Sequence, residues 1–129
     1  MKIEHTAYQV SAAAATAQWY VTHLGLTIKR AQFALPFGHF LSDDGDTVML
    51  EFYSFPELPV PDYRSMDPRI LHLAFRTSDV AGTRARLLAA GASAEGDVQT
   101  TDAGDTVAML RDPWGLCVQL VRRRDDMIP

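Results

Sequence analysis

From the first residues the chain alternates, with Ile3, His5, Ala7 and Gln9 set against Glu4, Thr6 and Tyr8. That period of two predicts a strand with unlike faces over residues 2–9. Ser11 then offers an N-cap, and the alanine-rich run to Leu24 predicts a helix that Gly25 stops. Thr16, Trp19, Tyr20 and His23 fall at helical spacing, so their stripe is the face expected to be buried. Strands are predicted at residues 26–33, 37–42 and 47–54, with Asp43-Asp44-Gly45-Asp46 as a hairpin turn before the last. Residues 55–69 hold Pro56, Pro59, Pro61 and Pro68, which forbid a regular ladder and predict a connecting loop.

Beyond the loop the pattern starts again. Residues 70–76 read as a strand, Ser78 as an N-cap, and residues 79–90 as a helix ended by Gly91. Strands follow at about 93–100 and 106–111, then the turn Asp112-Pro113-Trp114-Gly115, then a strand over 116–122. Landmarks repeat at a nearly constant offset: His5 to His72 is 67 residues, Gly25 to Gly91 is 66, and Glu51 to Gln119 is 68. Offsets in step across helix stops and strands predict a duplicated β-α-β-β-β unit. Module one spans about 1–54, the linker about 55–69 and module two about 70–122, within one domain of 129 residues.

Composition narrows the function classes. A net charge of −4 gives no electrostatic reason to bind nucleic acid, and the run Arg122-Arg123-Arg124 is offset at once by Asp125-Asp126. No stretch approaches the ~20 apolar residues that cross a bilayer, so no membrane role is expected. The single Cys117 cannot close an intramolecular disulfide, and the N-terminus lacks a basic start followed by a long apolar run. The cytoplasm is the compartment these features imply.

Two polar positions stand out because the duplication pairs them: His5 with His72, and Glu51 with Gln119. Glu51 sits between Leu50 and Phe52, with Met49 and Tyr53 on its own face, an apolar setting for a solvated carboxylate. Elsewhere the structural reading has the larger share. His39 shares a strand face with Phe37 and Leu41, His23 sits near a helix C-terminus, and Cys117 reads as a buried inert thiol. Tyr63, Arg64 and Arg69 in the proline-rich loop either contact an anionic substrate or are simply solvated. No glycine-rich phosphate loop, paired-cysteine motif or nucleophile elbow is present.

In this order, Ile3-Glu4-His5-Thr6, the helix end through His23-Leu24-Gly25-Leu26, and Met49-Leu50-Glu51-Phe52 form one recognisable set. The second module adds Ile70-Leu71-His72-Leu73-Ala74-Phe75, Ala89-Ala90-Gly91-Ala92 and the segment from Asp112-Pro113-Trp114-Gly115 to Gln119-Leu120. Together they resemble the vicinal oxygen chelate superfamily, which includes glyoxalase I, extradiol dioxygenases, fosfomycin-resistance enzymes and bleomycin-binding proteins. The resemblance implies an α+β fold of two β-α-β-β-β modules, forming open U-shaped sheets around a cavity, and a homodimer. It also implies that His5, Glu51, His72 and Gln119 occupy the metal-ligand positions, for a divalent ion such as Ni, Zn, Mn or Fe.

Two imidazoles, a carboxylate and an amide oxygen suit a borderline divalent ion with sites left for substrate or water. Gln119 departs from glyoxalase I, where that position is a glutamate that binds metal and acts as a base. An amide cannot accept a proton at neutral pH, so proton transfer falls to Glu51, the preferred candidate, or to another cavity group. The leading expectation is a metal-dependent, glyoxalase-like enzyme that chelates a small oxygenated metabolite and stabilises an enediolate, short of true glyoxalase I activity. The alternatives are a metal-free protein that sequesters a small molecule, as bleomycin-resistance proteins do, and an iron-dependent dioxygenase.

Overall fold

The computed structural model describes residues 1–129, which form two compact units, Met1–Pro61 and Asp62–Pro129. Each unit follows the same path: strand, helix, three strands. In the first these are β1 His5–Gln9, α1 Ala13–Leu24, β2 Thr27–Ala31, β3 His39–Ser42 and β4 Met49–Tyr53. In the second they are β5 Leu73–Arg76, α2 Val80–Ala89, β6 Ser93–Thr100, β7 Thr106–Arg111 and β8 Cys117–Arg122.

The first sheet runs β1-β4-β3-β2 and the second β5-β8-β7-β6, and both are open rather than closed on themselves. Within each, the first and last strands pair in parallel and the others are antiparallel. Registers superpose as well as topologies. Ala7 lies beside Glu51 in one parallel pair and Ala74 beside Gln119 in the other. His5 and His72 each precede that alanine by two residues, so the duplication read from the offsets is a physical repeat of strand positions.

The helices cover one face of each sheet. Tyr20 of α1 packs against Phe52 with ring centroids 5.0 Å apart, over buried Leu41. Thr16, Trp19 and Tyr20 are buried, as the helical spacing predicts. Leu87 of α2 joins Leu110, Val118 and Leu120 in the second core. Gly25 ends α1 at φ 74°, the left-handed value that glycine adopts without a Cβ penalty.

The structure corrects both predicted caps. The N-cap of α1 is Ala12, not Ser11; Ser54 Oγ from the end of β4 instead accepts from the N–H of Ala13 at 3.0 Å. Asp79, not Ser78, caps α2, its Oδ1 accepting from Gly82 N–H at 2.9 Å. In both cases an oxygen one residue or one strand away reaches the orphan N–H first. The strands are also shorter at their ends than the alternation suggests: β1 starts at His5 and β5 at Leu73. Residues 55–69 contain a single turn of 3-10 helix, Tyr63–Ser65, held by Asp62, whose side chain accepts from Ser65 N–H and Oγ–H.

Candidate functional site

Side chains that neighbour one another across strands project from the same face, so the register decides what each sheet presents. On the first sheet the face away from α1 carries His5 and Ala7, Met49 and Glu51, and Phe40 and Ser42. The opposite face carries Phe52, Leu41 and His39. His39 is buried there, its Nδ1–H donating to Phe37 O at 2.6 Å, so it is a structural residue on the helix side.

His5 and Glu51 meet on the open face, with Nε2 and Oε2 3.5 Å apart. The other ring nitrogen of His5 is held by Glu4 Oε2. A carboxylate only accepts, so in the neutral ring the proton sits on Nδ1, towards the nearer carboxylate, and Nε2 turns its lone pair towards Glu51. Two acceptors facing each other repel unless a proton or a cation lies between them. The His5 and Phe40 rings meet edge to face, their centroids 5.4 Å apart at 82°, and Gln32 closes the same side, its Oε1 accepting from Gly38 N–H at 3.3 Å. A Cβ built on Gly38 would meet that oxygen at 3.0 Å and Glu51 Oε1 at 3.8 Å.

The second sheet repeats the arrangement with different groups. Gln119 sits between Ala74 and Met109, and half-buried. His72 lies just before β5 and donates from Nδ1 to Pro68 O at 2.7 Å. A carbonyl cannot donate, so in the neutral ring this bond leaves the lone pair on Nε2, the tautomer a ligating imidazole needs. Neither unit by itself gathers three His, Cys, Asp or Glu side chains into a ligand cluster.

Next to these residues stands a group that the sequence reading passed over, Arg111. It is 4% exposed and uses all its N–H donors. Nε and Nη2 grip the Glu95 carboxylate at 3.1 and 3.3 Å, while Nη1 reaches Tyr63 O at 2.7 Å and Gly115 O at 3.3 Å, and Nη2 reaches Met66 O at 2.7 Å. The guanidinium beside Glu95 holds that carboxyl below its usual range. Gly115, at φ 100°, completes the seat, since a Cβ there would come within 2.8 Å of Arg64 Cβ. Arg64 donates to Pro113 O at 3.2 Å and Arg69 is paired with Asp67 at 2.7 Å, so both loop arginines are engaged within their own unit. Cys117 is buried beside Met109 Sδ, and burial raises its thiol pKa.

An open hollow of about 630 Å³ also marks the first unit. Its lining is chiefly apolar, including Val10, Ala13, Leu35, Phe37 and Leu58, and it includes neither His5 nor Glu51. The hollow offers no titratable group. No helix is long and apolar enough to cross a membrane.

Comparison with known proteins agrees with the repeat. The solved structure of SMU.1112c is 29% identical with a TM-score of 0.74, over 95% of this chain and 98% of that one. TnmS3, an antibiotic-binding protein from Streptomyces sp. CB03234, is 24% identical with a TM-score of 0.70, over 93% of each chain. A glyoxalase I variant from Zea mays is 19% identical with a TM-score of 0.75, covering 96% of this chain and 46% of its own. Comparison with curated protein sequences gave no match. The sequence profile of one family matches residues 2–120, nearly the whole chain, and the chain therefore belongs to the Glyoxalase/Bleomycin resistance protein/Dioxygenase superfamily.

Proposed function

We propose that this protein is a metal-dependent, glyoxalase-like enzyme acting on a small oxygenated metabolite. The observation that carries the reading is the His5–Glu51 pair. Two ligands about 2.1 Å from one tetrahedral ion are separated by about 3.4 Å. His5 Nε2 and Glu51 Oε2 are 3.5 Å apart, and Glu4 fixes the tautomer that turns the Nε2 lone pair inward. His72 and Gln119 are the equivalent pair of the second module, and we propose that a homodimer uses both pairs as ligands for Ni, Zn, Mn or Fe.

When bound, the ion supplies a Lewis acid that polarises substrate oxygens and offsets the negative charge building on them. Glu51 is the group that moves the proton. It is a carboxylate, and its equivalent Gln119 cannot accept one at neutral pH. Glu4 keeps His5 oriented, and the Pro68 carbonyl does the same for His72.

The second reading is a metal-free protein that sequesters a small molecule. Gln119 favours it, since replacing a carboxylate with an amide removes both charge and basicity, and TnmS3 shares the fold. Metal analysis of untagged protein, followed by titration with nickel, zinc, manganese and iron, separates the two. Stoichiometric uptake that is lost in His5→Ala and His72→Ala but kept in His39→Ala supports the enzyme. A folded wild-type protein that takes up none of the four ions overturns it in favour of the binder.

A further inference from the structure

We infer that the open face of the first sheet takes a small anionic ligand with a flat apolar body, the negative group pairing with Arg30 and the body lying on Phe40. The inference rests on reading that face as the ligand site. Arg30, Phe40, Glu51 and Ala7 lie in one row across four strands, so their side chains leave the sheet on the same side. Contacts run continuously along it. The Arg30 guanidinium lies over the Phe40 ring at 5.7 Å, and Phe40 meets the His5 ring edge-on at 5.4 Å. His5 in turn faces Glu51.

Arg30 is the cation of this row, and no carboxylate of its own unit neutralises it. Of the carboxylates near it in sequence and register, Glu4 and Glu51 lie against His5 and Asp46 pairs with Lys29. The bulge between Ile28 and Arg30 sets this up, because it separates Lys29, which goes to Asp46, from Arg30, which stays over Phe40. A guanidinium laid on a ring keeps its in-plane N–H fork free at the rim, the geometry that receives a carboxylate through two bonds. Gln32 adds to the same polarity. Its amide oxygen is occupied by Gly38 N–H, which leaves the NH₂ group as a donor. The part of the ring that Arg30 and His5 leave uncovered offers a flat body an apolar surface.

The test is an NMR titration of the whole protein, stripped of metal with a chelator, using benzoate, benzyl alcohol and benzylamine. These three probes share a ring and differ in charge. Benzoate is expected to perturb Arg30, Phe40 and His5 and to bind roughly three- to tenfold more tightly than benzyl alcohol, the scale of one partly exposed charge-assisted pair. Arg30→Gln should erase that preference and leave the benzyl alcohol affinity unchanged, while Phe40→Leu should weaken both. Equal affinity for benzoate and benzyl alcohol on this face, tighter binding of benzylamine, or a benzoate preference that survives Arg30→Gln would each overturn the inference and leave the face standing as a ligand site. If none of the three probes perturbs the face, the reading of the face falls together with the inference.

Discussion

The two halves follow one chain path with one register, yet they close the same corner of the open face in opposite ways. Ser42 pairs with Met49 at the end of the first sheet, and Arg111 pairs with Cys117 at the matching place in the second. In the first corner a short hydroxyl is itself buried. A long cation in the second reaches out, gathers Glu95 and pulls the carbonyls of Tyr63, Met66 and Gly115 into its fork. The duplicated fold therefore carries different groups at matching positions. One half carries His5 and Glu51 on its open face; the other carries His72 and the uncharged Gln119, with a corner built around buried Arg111 and its partner Glu95.

That contrast predicts where stability resides. Arg111→Met removes every hydrogen bond of the fork and takes the donor from the Glu95 carboxylate and from the Met66 and Gly115 carbonyls, while Tyr63 O keeps the Met66 N–H. Orphaned polar groups cost more than the lost bonds themselves, so a loss of roughly 3 kcal/mol is expected. The figure is held down because Glu95 is 38% exposed and can recover water. Ser42→Ala at the equivalent position should cost under about 1 kcal/mol. Urea unfolding of both variants measures the difference, and equal losses would mean that the two corners are not distinct.

Making the second half resemble the first sharpens the comparison from the other side. Gln119→Glu should raise metal affinity by about 1–3 kcal/mol if residue 119 is a ligand, because a neutral donor becomes a charged one. Without metal the sign reverses. Gln119 is half-buried between Ala74 and Met109, and a carboxylate there loses water and gains no cation. Thermal unfolding with and without added metal reads both signs together. An unchanged melting temperature in both conditions would remove Gln119 from the proposed ligand set.

How far this division was legible in the sequence follows from the range of each signal. Strand alternation, helix stops at Gly25 and Gly91 and the offset between His5 and His72 are local or periodic, and they located all ten elements. The superposed registers could be anticipated for the same reason. Arg111 was missed because its partners lie far along the chain, up to 48 residues away at Tyr63, and an arginine closing a strand looks like any solvated strand end. Phe40 and Arg30 were missed because a one-residue bulge in β2 decides which of Lys29 and Arg30 joins the row, and neither alternation nor propensity encodes it. The caps failed on a smaller scale: Ser11 and Ser78 are good cap residues, but Ser54 comes from another strand and Asp79 is one residue closer to its helix.

A weaker effect should appear in acid. Glu95 has its pKa lowered, chiefly by hydrogen bonding to the Arg111 side chain. A carboxyl whose folded value is depressed contributes stability above its unfolded value, near 4.5, and that contribution is lost as pH falls through the folded value. Wild type should therefore lose stability more steeply than Glu95→Gln as the pH drops below about 4.5. The variant should be the less stable of the two at pH 7 (where the pair is intact) and should approach wild type in acid. Parallel pH profiles from chemical denaturation would show that the pair contributes nothing.

The smallest expected effect concerns reactivity rather than stability, and it compares Cys117 with its counterpart in the first half. Cys117 is 1% exposed, lies against Met109 Sδ and has its thiol pKa raised, principally by burial. Only the thiolate attacks an alkylating agent, so burial suppresses the reaction twice, through access and through the population of the reactive form. In the folded protein, iodoacetamide should therefore modify Cys117 far more slowly than it modifies a free thiol, and urea should restore the ordinary rate. The matching strand position in the first half is Met49, which is only half-buried beside His5 and Ser42. A Met49→Cys, Cys117→Ser double variant moves the chain's one thiol from a buried position to a half-buried one. Because Met49 is half-buried where Cys117 is buried, the relocated thiol should react faster than Cys117 without denaturant. Mass spectrometry of timed samples follows both proteins. If the two thiols are protected alike, the first corner is covered too, and the contrast drawn between the halves fails at its most local point.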